Sequence, residues 1–330
     1  MMRRSLWRVV AVALLTCSTP CFADPPPILD VETLFRNPQK TDFNLSPNGE
    51  YVAFMAPWQD RMNLWVKRIG EDTAHRITDA TSRSIDGYVW TTDDRLVYRL
   101  DEGGDENFRL VSVKRDGGGL IGLTPWEGVS AGIIALPLDD RRHILISHNK
   151  RDKKEFDAYR VDVETGESEL LVQNPGHVTG YFADHHGVIR LALQEEGPNV
   201  RWLYRDAADE PFKSGIVTKS GVISPRLFSY DSSTVIAVSS LHRDKGALVE
   251  LDPLTGREVK ILYENPDVDV AAPLKSDARQ MVTGPSLPTS GGTMFSSTSA
   301  GSRRRRTLRQ GCRDLRFPST TTMPLKTAMW

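Results

Sequence analysis

The sequence predicts an all-β protein, a β-propeller of about five blades plus the start of a sixth, in a ring left incomplete. A repeat of constant length, short runs of strand-forming residues and turn chemistry between those runs predict it. Ser46-Pro47-Asn48-Gly49-Glu50 leads into YVAF, Thr92-Asp93-Asp94-Arg95 into LVYRL, and Asp139-Asp140-Arg141-Arg142 into HILIS. Asp184-His185-His186-Gly187 leads into VIRLAL, and Tyr230-Asp231-Ser232-Ser233 into TVIAV. Anchored on Asn48, Asp94, Asp140, His186 and Ser232, each step is 46 residues.

A second alternating run follows each first one: NLWVKRI from Asn63, FRLVSVK from Phe108, AYRVDV from Ala158, VRWLYRD from Val200 and ALVELD from Ala247. A period in the forties with about four strands per period is the signature of a propeller blade. One such sheet cannot bury both faces alone, so neighbours stack around an axis. The Val, Ile, Leu, Tyr and Trp content suits strands buried on both faces. Asn48-Gly49, Asp116-Gly117 and Thr255-Gly256 supply the turns. A two-sheet sandwich would not hold a 46-residue step across five repeats.

The ends of the chain read differently. Arg3, Arg4 and Arg8, then the apolar run Val9–Leu15, then Cys21-Phe22-Ala23 before Asp24 have the form of a secretory signal peptide over residues 1–23. The run is too short for a permanent membrane span. A buried N-terminal helix, or a lipidated Cys17 after Leu14-Leu15-Thr16, fits these flanks less well. The expected location is periplasmic or secreted, with no membrane contact after cleavage. Cys17 and Cys21 leave with the signal peptide, so Cys312 has no partner for an intrachain disulfide. Residues 24–45 read as a lead-in with a short helix capped by Asp30 and followed by Glu32, Leu34 and Phe35. The propeller is expected over residues 46–283. A sixth repeat opens at Ser276-Asp277-Ala278-Arg279 and runs to Thr283.

Residues 284–330 carry 15 Ser and Thr and the Arg303–Arg306 run. They read as a low-complexity basic tail, disordered because it offers too little apolar surface to offset chain entropy. A shifted reading frame after about Thr283 would produce such a tail, and a natural basic tail is the alternative. With signal peptide and tail set aside, residues 24–283 hold 31 basic and 42 acidic residues, a net of −11. That balance argues against nucleic acid or anionic lipid as a partner.

Four stretches carry a family resemblance: LSPNGEYVAF (residues 45–54), NLWVKRIGE (63–71), YVWTTDDRLVYRLDEGGDENFRLVSV (88–113) and LTPWEGVSA (123–131). They resemble the N-terminal propeller of the S9 (prolyl oligopeptidase) serine peptidases, in the dipeptidyl aminopeptidase and acylaminoacyl peptidase branch. The GDENF stretch, Gly104–Phe108, is the most specific. The resemblance implies a propeller that admits peptides to an α/β-hydrolase domain with a Ser, Asp, His triad. The resemblance stops near Thr283, so the catalytic domain is expected to be missing and the chain inactive alone. The alternative is a self-sufficient propeller that binds a protein or peptide. An open ring would expose strand edges and favour self-association.

Site chemistry is sparse. Asp105 and Glu106 are the candidate substrate-binding carboxylates, able to hold a peptide's α-amino group by charge-assisted hydrogen bonds. The competing reading is a hairpin turn in which Asp105 and Asn107 cap backbone N–H groups. Gly128-Val129-Ser130-Ala131-Gly132 matches the G-x-S-x-G nucleophile elbow, but it precedes a strand, not a helix, so no catalytic residue is assigned. His185-His186 lack a spaced third ligand, so no metal is assigned, and no cofactor is implied. Trp58, Trp65, Trp90, Trp126 and Trp202 read as packing between blades.

Overall fold

The computed structural model describes residue 30 and residues 36–101, 103–289 and 292–295. The expected signal peptide, residues 31–35 of the expected lead-in helix, Cys312 and residues 296–330 lie outside the described residues. Residues 1–37 cluster as a separate unit from residues 38–330, and the second unit holds every described strand.

Every described element is a strand. The first sheet contains β1 (Thr41–Leu45), β2 (Tyr51–Trp58), β3 (Arg61–Arg68) and β4 (Ala74–Arg76), and the second β5 (Gly87–Trp90), β6 (Arg95–Leu100), β7 (Arg109–Lys114) and β8 (Ile121–Gly122). The third holds β9 (Ala131–Ala135), β10 (His143–Asp152), β11 (Glu155–Asp162) and β12 (Ser168–Val172). The fourth holds β13 (Val178–Ala183), β14 (Ile189–Glu196), β15 (Asn199–Tyr204) and β16 (Lys213–Lys219). The fifth holds β17 (Ile223–Phe228), β18 (Val235–Ser239), β19 (Ala247–Leu251) and β20 (Glu258–Tyr263). The sixth has three described strands, β21 (Ala272–Ser276), β22 (Met281–Thr289) and β23 (Gly292–Phe295). Each sheet is an antiparallel meander in chain order, as propeller blades are. The fold is a β-propeller with five four-stranded blades and part of a sixth.

The two runs legible in each repeat are the second and third strands of a blade. Their registers are long and regular: β2 pairs β3 from Tyr51↔Arg68 to Trp58↔Arg61 without a break. These strands are hydrogen-bonded on both edges and packed on both faces, so Leu64, Val66, Leu96, Val97, Leu191 and Val249 are fully buried. Burying one such side chain contributes roughly 1.5–3 kcal/mol. Between blades, apolar side chains of successive sheets form separate clusters. One of them joins Leu64 and Val66 of the first sheet to Trp90, Leu96 and Val113 of the second.

The turns that carry the repeat also bond blade to blade. The Asn48 N–H donates to Asp93 Oδ1 (2.8 Å), and Asp139 Oδ2 lies 2.8 Å from His186 Nδ1. The Tyr230 hydroxyl donates to Asp277 Oδ1 (2.7 Å). The 46-residue step thus places equivalent turns side by side at one end of the sheets. Turns between third and fourth strands recur too. Asp162 and Asp252 each accept backbone N–H groups two and three residues on, with Gly166 and Gly256 at φ 77° and 67°. At Gly256 the space matters as well as φ, since a Cβ there would overlap Ile216 of the preceding blade.

Both expected boundaries move outward. The first blade begins at Thr41, inside the lead-in, because β1 pairs with β2 through Asn44↔Ala53 and Leu45↔Val52. The sixth blade continues past Thr283 to Phe295, inside the expected tail. Pro285 and Pro288 both lie within β22, and Pro285 stands opposite Pro273, where neither has an N–H to lose from the ladder. Next to it the Ala271 N–H donates to the Ser286 carbonyl (2.9 Å). Two tryptophans also differ from expectation. Trp65 donates its indole N–H to Ala56 O (3.2 Å) and Trp58 stacks under Arg76, both within the first sheet. Trp90 joins the first two blades through Asn44 O (3.1 Å), and Trp202 is buried between the fourth and fifth.

Candidate functional site

The innermost strand of every blade faces a shared axial channel. A cavity of about 690 Å³ is lined from all six sheets, by Asn44 of β1, Tyr88 and Trp90 of β5, Ile134 of β9, Phe182 of β13, Arg226 of β17 and Lys275 of β21. The turns after β9, β13 and β21 add Arg141, Asp184, His185 and Asp277. A second cavity of about 360 Å³ adjoins it along β9, with Ile134 common to both. Arg99, Phe108, Ser130 and Lys154 line this second space.

The channel wall is tied together by polar contacts between consecutive blades. The Tyr88 hydroxyl donates to Ala53 O (2.7 Å) and lies 2.5 Å from Asp42 O. Burial pushes its pKa up to about 12, so the phenol stays protonated. His185 stacks on Tyr230 with ring centroids 4.0 Å apart, and its Nε2 lies 2.9 Å from Phe228 O.

Charge in the channel is uneven. Burial opposes ionisation of Asp277, but bonds from Lys275 Nζ (2.9 Å) and the Tyr230 hydroxyl, with the charges of Lys275 and Arg141, hold its pKa below the usual range. Asp184 accepts the N–H groups of His186 and Val188 (both 3.0 Å), so its carboxylate serves its own turn. Arg226 donates to the Ala271 carbonyl (3.2 Å) and has no acidic partner among the described residues. It remains open to solvent through the channel, yet the protein around it pushes its pKa down by desolvation.

The sequence candidates lie elsewhere. Asp105 and Glu106 sit in the exposed loop between β6 and β7, outside both cavities. Asp105 accepts from Asn107 through both oxygens, the backbone N–H at 3.0 Å and the side-chain amide at 2.9 Å. Those bonds lower its pKa and realise the hairpin-turn reading of the GDENF stretch. Glu106 is exposed on left-handed backbone (φ 59°).

Ser130 precedes β9 and no helix follows it. Its N–H is held by Asn149 Oδ1 (2.8 Å), which leaves the strand-to-helix geometry of a nucleophile elbow unformed. His185 and His186 turn to different partners, Phe228 O and Asp139. Among the described residues no group of three or more His, Cys, Asp or Glu side chains is placed to hold a metal ion.

Reasoning from sequence missed Arg141, Arg226 and Lys275. Arg226 carried a weak signal, an arginine following Pro225 in an otherwise apolar run. Pro225 pairs with Ala237 and Leu227 with Ile236, so Arg226 is the extra residue of a β-bulge. Bulges re-aim side chains in this way.

No family model matches the chain. A dipeptidyl aminopeptidase BIII from Pseudoxanthomonas mexicana is 29% identical over 259 residues, 75% of this chain and 36% of that protein. A dipeptidyl peptidase family member 6 from Caenorhabditis elegans is 27% identical over 186 residues, 54% of this chain and 25% of that protein. The chain thus spans about a third or less of the length of these relatives. Among solved structures, a prolyl endopeptidase superposes with a TM-score of 0.54 at 10% identity, covering 78% of this chain and 41% of that one. That superposition shows the fold. With the homologues, it marks the described region as a peptidase-related propeller.

Proposed function

We propose that this peptidase-related propeller is the substrate-gating portion of an exported S9-type serine peptidase, admitting short peptides along its axial channel and lacking catalysis of its own. The observation that carries the reading is the channel itself, lined by the first strand of all six blades, in a chain homologous to dipeptidyl aminopeptidases. A channel of about 690 Å³ suits a short peptide and not a folded domain. In this reading Glu106, exposed at the β6–β7 loop, offers a carboxylate to the guest's α-amino group, and Asp105 shapes the turn that presents it.

The second reading, a self-sufficient binding module that also self-associates, draws on apolar side chains left open on outer and terminal strands. Phe43, Leu45, Val259 and Ile261 are between 47% and 61% exposed, and such surfaces attract partners.

One experiment separates the two. The purified chain is titrated with short peptides by calorimetry, and assayed in parallel with dipeptidyl chromogenic substrates and a serine-directed covalent inhibitor. Saturable binding of peptides without turnover or labelling is the expected result. Turnover with a labelled serine would overturn the inactive part of the reading. No peptide binding, together with concentration-dependent self-association, would replace the reading with the second one.

A further inference from the structure

The channel is cationic inside an acidic body. Residues 24–283 carry a net charge of −11, yet the channel lining brings Arg141, Arg226 and Lys275 together with only Asp184 and Asp277. The two carboxylates are already engaged, Asp184 by its own turn and Asp277 by Lys275 and Tyr230. Lys275 is spent on Asp277. Among the described residues Arg141 makes no hydrogen bond or ion pair, and Arg226 bonds only to the Ala271 carbonyl. Two guanidinium groups thus face one cavity from the third and fifth blades, Arg226 with no acidic partner among the described residues and Arg141 with the charge of Asp277 nearby but no bond to it.

Holding a guanidinium in a partly desolvated channel without a counter-charge is unfavourable. The fold nevertheless uses a β-bulge to aim Arg226 there. Arg141 sits at the turn end of the channel, near enough to Asp277 of the sixth blade to stabilise its charge. An anion seated between the two arginines would take paired N–H donors from each, the geometry in which guanidinium groups bind carboxylates best.

We infer that Arg141 and Arg226 form an anion site in the axial channel that binds a carboxylate of a guest peptide. This rests on the peptide-admitting reading above and adds an end-specific anchor to it. The carboxylate has two possible sources, the peptide's C-terminus or an acidic side chain.

The test needs three probes of one sequence: a tripeptide with a free C-terminus, its C-terminal amide, and an amidated version containing Asp. Affinities are measured by calorimetry on the whole chain at low and high salt. The free acid is expected to bind at least about tenfold more tightly than the neutral amide, a modest return for charge-assisted bonds. The margin should shrink with salt. Restored affinity for the Asp-containing amide would assign the site to carboxylates in general, and no restoration would assign it to the C-terminus. R141A and R226Q should each narrow the acid-to-amide ratio, with the melting temperature measured beside each. Equal binding of acid and amide by the unmutated chain would overturn the anion site while leaving peptide admission intact. Failure of all three peptides to bind would overturn both.

Discussion

The interface between the fourth and fifth blades and the one between the fifth and sixth are built from the same repeat and differ sharply in apolar content. The first buries a cluster of ten residues, including Trp202, Phe228, Leu191 and Val249. Among the described residues the second buries three, Ile236, Leu248 and Val270, with Val282 and Leu287 partly covered beside them. Polar bonds are more prominent at the second: Arg226 to Ala271 O (3.2 Å), Gly246 N–H to Asp269 (2.7 Å) and Tyr230 to Asp277 (2.7 Å). In a stack where each sheet touches only its neighbours, stability is a sum of local interfaces. The fourth and fifth blades should therefore melt together, and the sixth should be the easiest to detach.

The largest effect is expected at Trp202, in the apolar interface. Its side chain is fully buried, and its indole N–H has no hydrogen-bond partner among the described residues, so packing alone holds it. Trp202→Ala should cost about 3–5 kcal/mol, read as a fall in the urea midpoint of the whole strand-rich unit. A loss below about 1 kcal/mol would mean that the blades collapse around the gap and that the interface is less jigsaw-like than its burial implies.

The interface between the second and third blades adds a third case, with a titratable group inside. His148 is 2% exposed, stacked on Tyr159 at 4.0 Å with Trp126 edge-on at 5.0 Å. Burial pushes its pKa down from 6.5 to about 4, against the pull of Asp157. Between those two pH values the unfolded chain binds more protons than the folded one. Stability therefore falls as pH drops from 6.5 towards 4 and levels off below that, by on the order of 3 kcal/mol in all. His148→Phe keeps a ring for the stack and removes the proton. Urea midpoints at pH 7 and pH 4.5 should converge in the variant relative to the parent, and parallel curves would refute the assignment.

The same physics decides what is legible in the sequence. The second and third strands of each blade are apolar because they are paired on both edges and packed on both faces, so runs such as Tyr51–Trp58 and Ile189–Glu196 stand out. Outer strands such as Ser168–Val172 and Glu258–Tyr263 keep a polar, exposed face and carry no such pattern. Inner strands answer to the channel instead, which is why Arg226 interrupts β17 and why the channel arginines leave so little trace in the sequence. Blade number and the 46-residue step are readable because Asp, Asn and Gly turns recur. The sixth blade's extent is not, since Pro285 and Pro288 imitate a break that the register accommodates. The GDENF stretch is visible as a motif, and its turn chemistry is legible in the Asp105 and Asn107 pair that bonds within it.

The smallest effect concerns the sixth blade alone. Tyr230→Phe deletes one hydrogen bond, to Asp277, while keeping the ring stacked on His185. It leaves the Asp277 carboxylate with Lys275 as its remaining bonded partner. The global midpoint should move by only about 1 kcal/mol. Local opening is the more telling measurement. Amide hydrogen exchange across β21 and β22 should quicken severalfold, while β18 and β19 keep the protection set by the ten-residue cluster, because sub-global opening follows the weakest interface. Equal acceleration in both blades would show that the fifth and sixth open as one unit. The contrast between their apolar interfaces would then have no counterpart in cooperativity, and the hydroxyl at Tyr230 would be a strut for the pair and not a latch on the last blade.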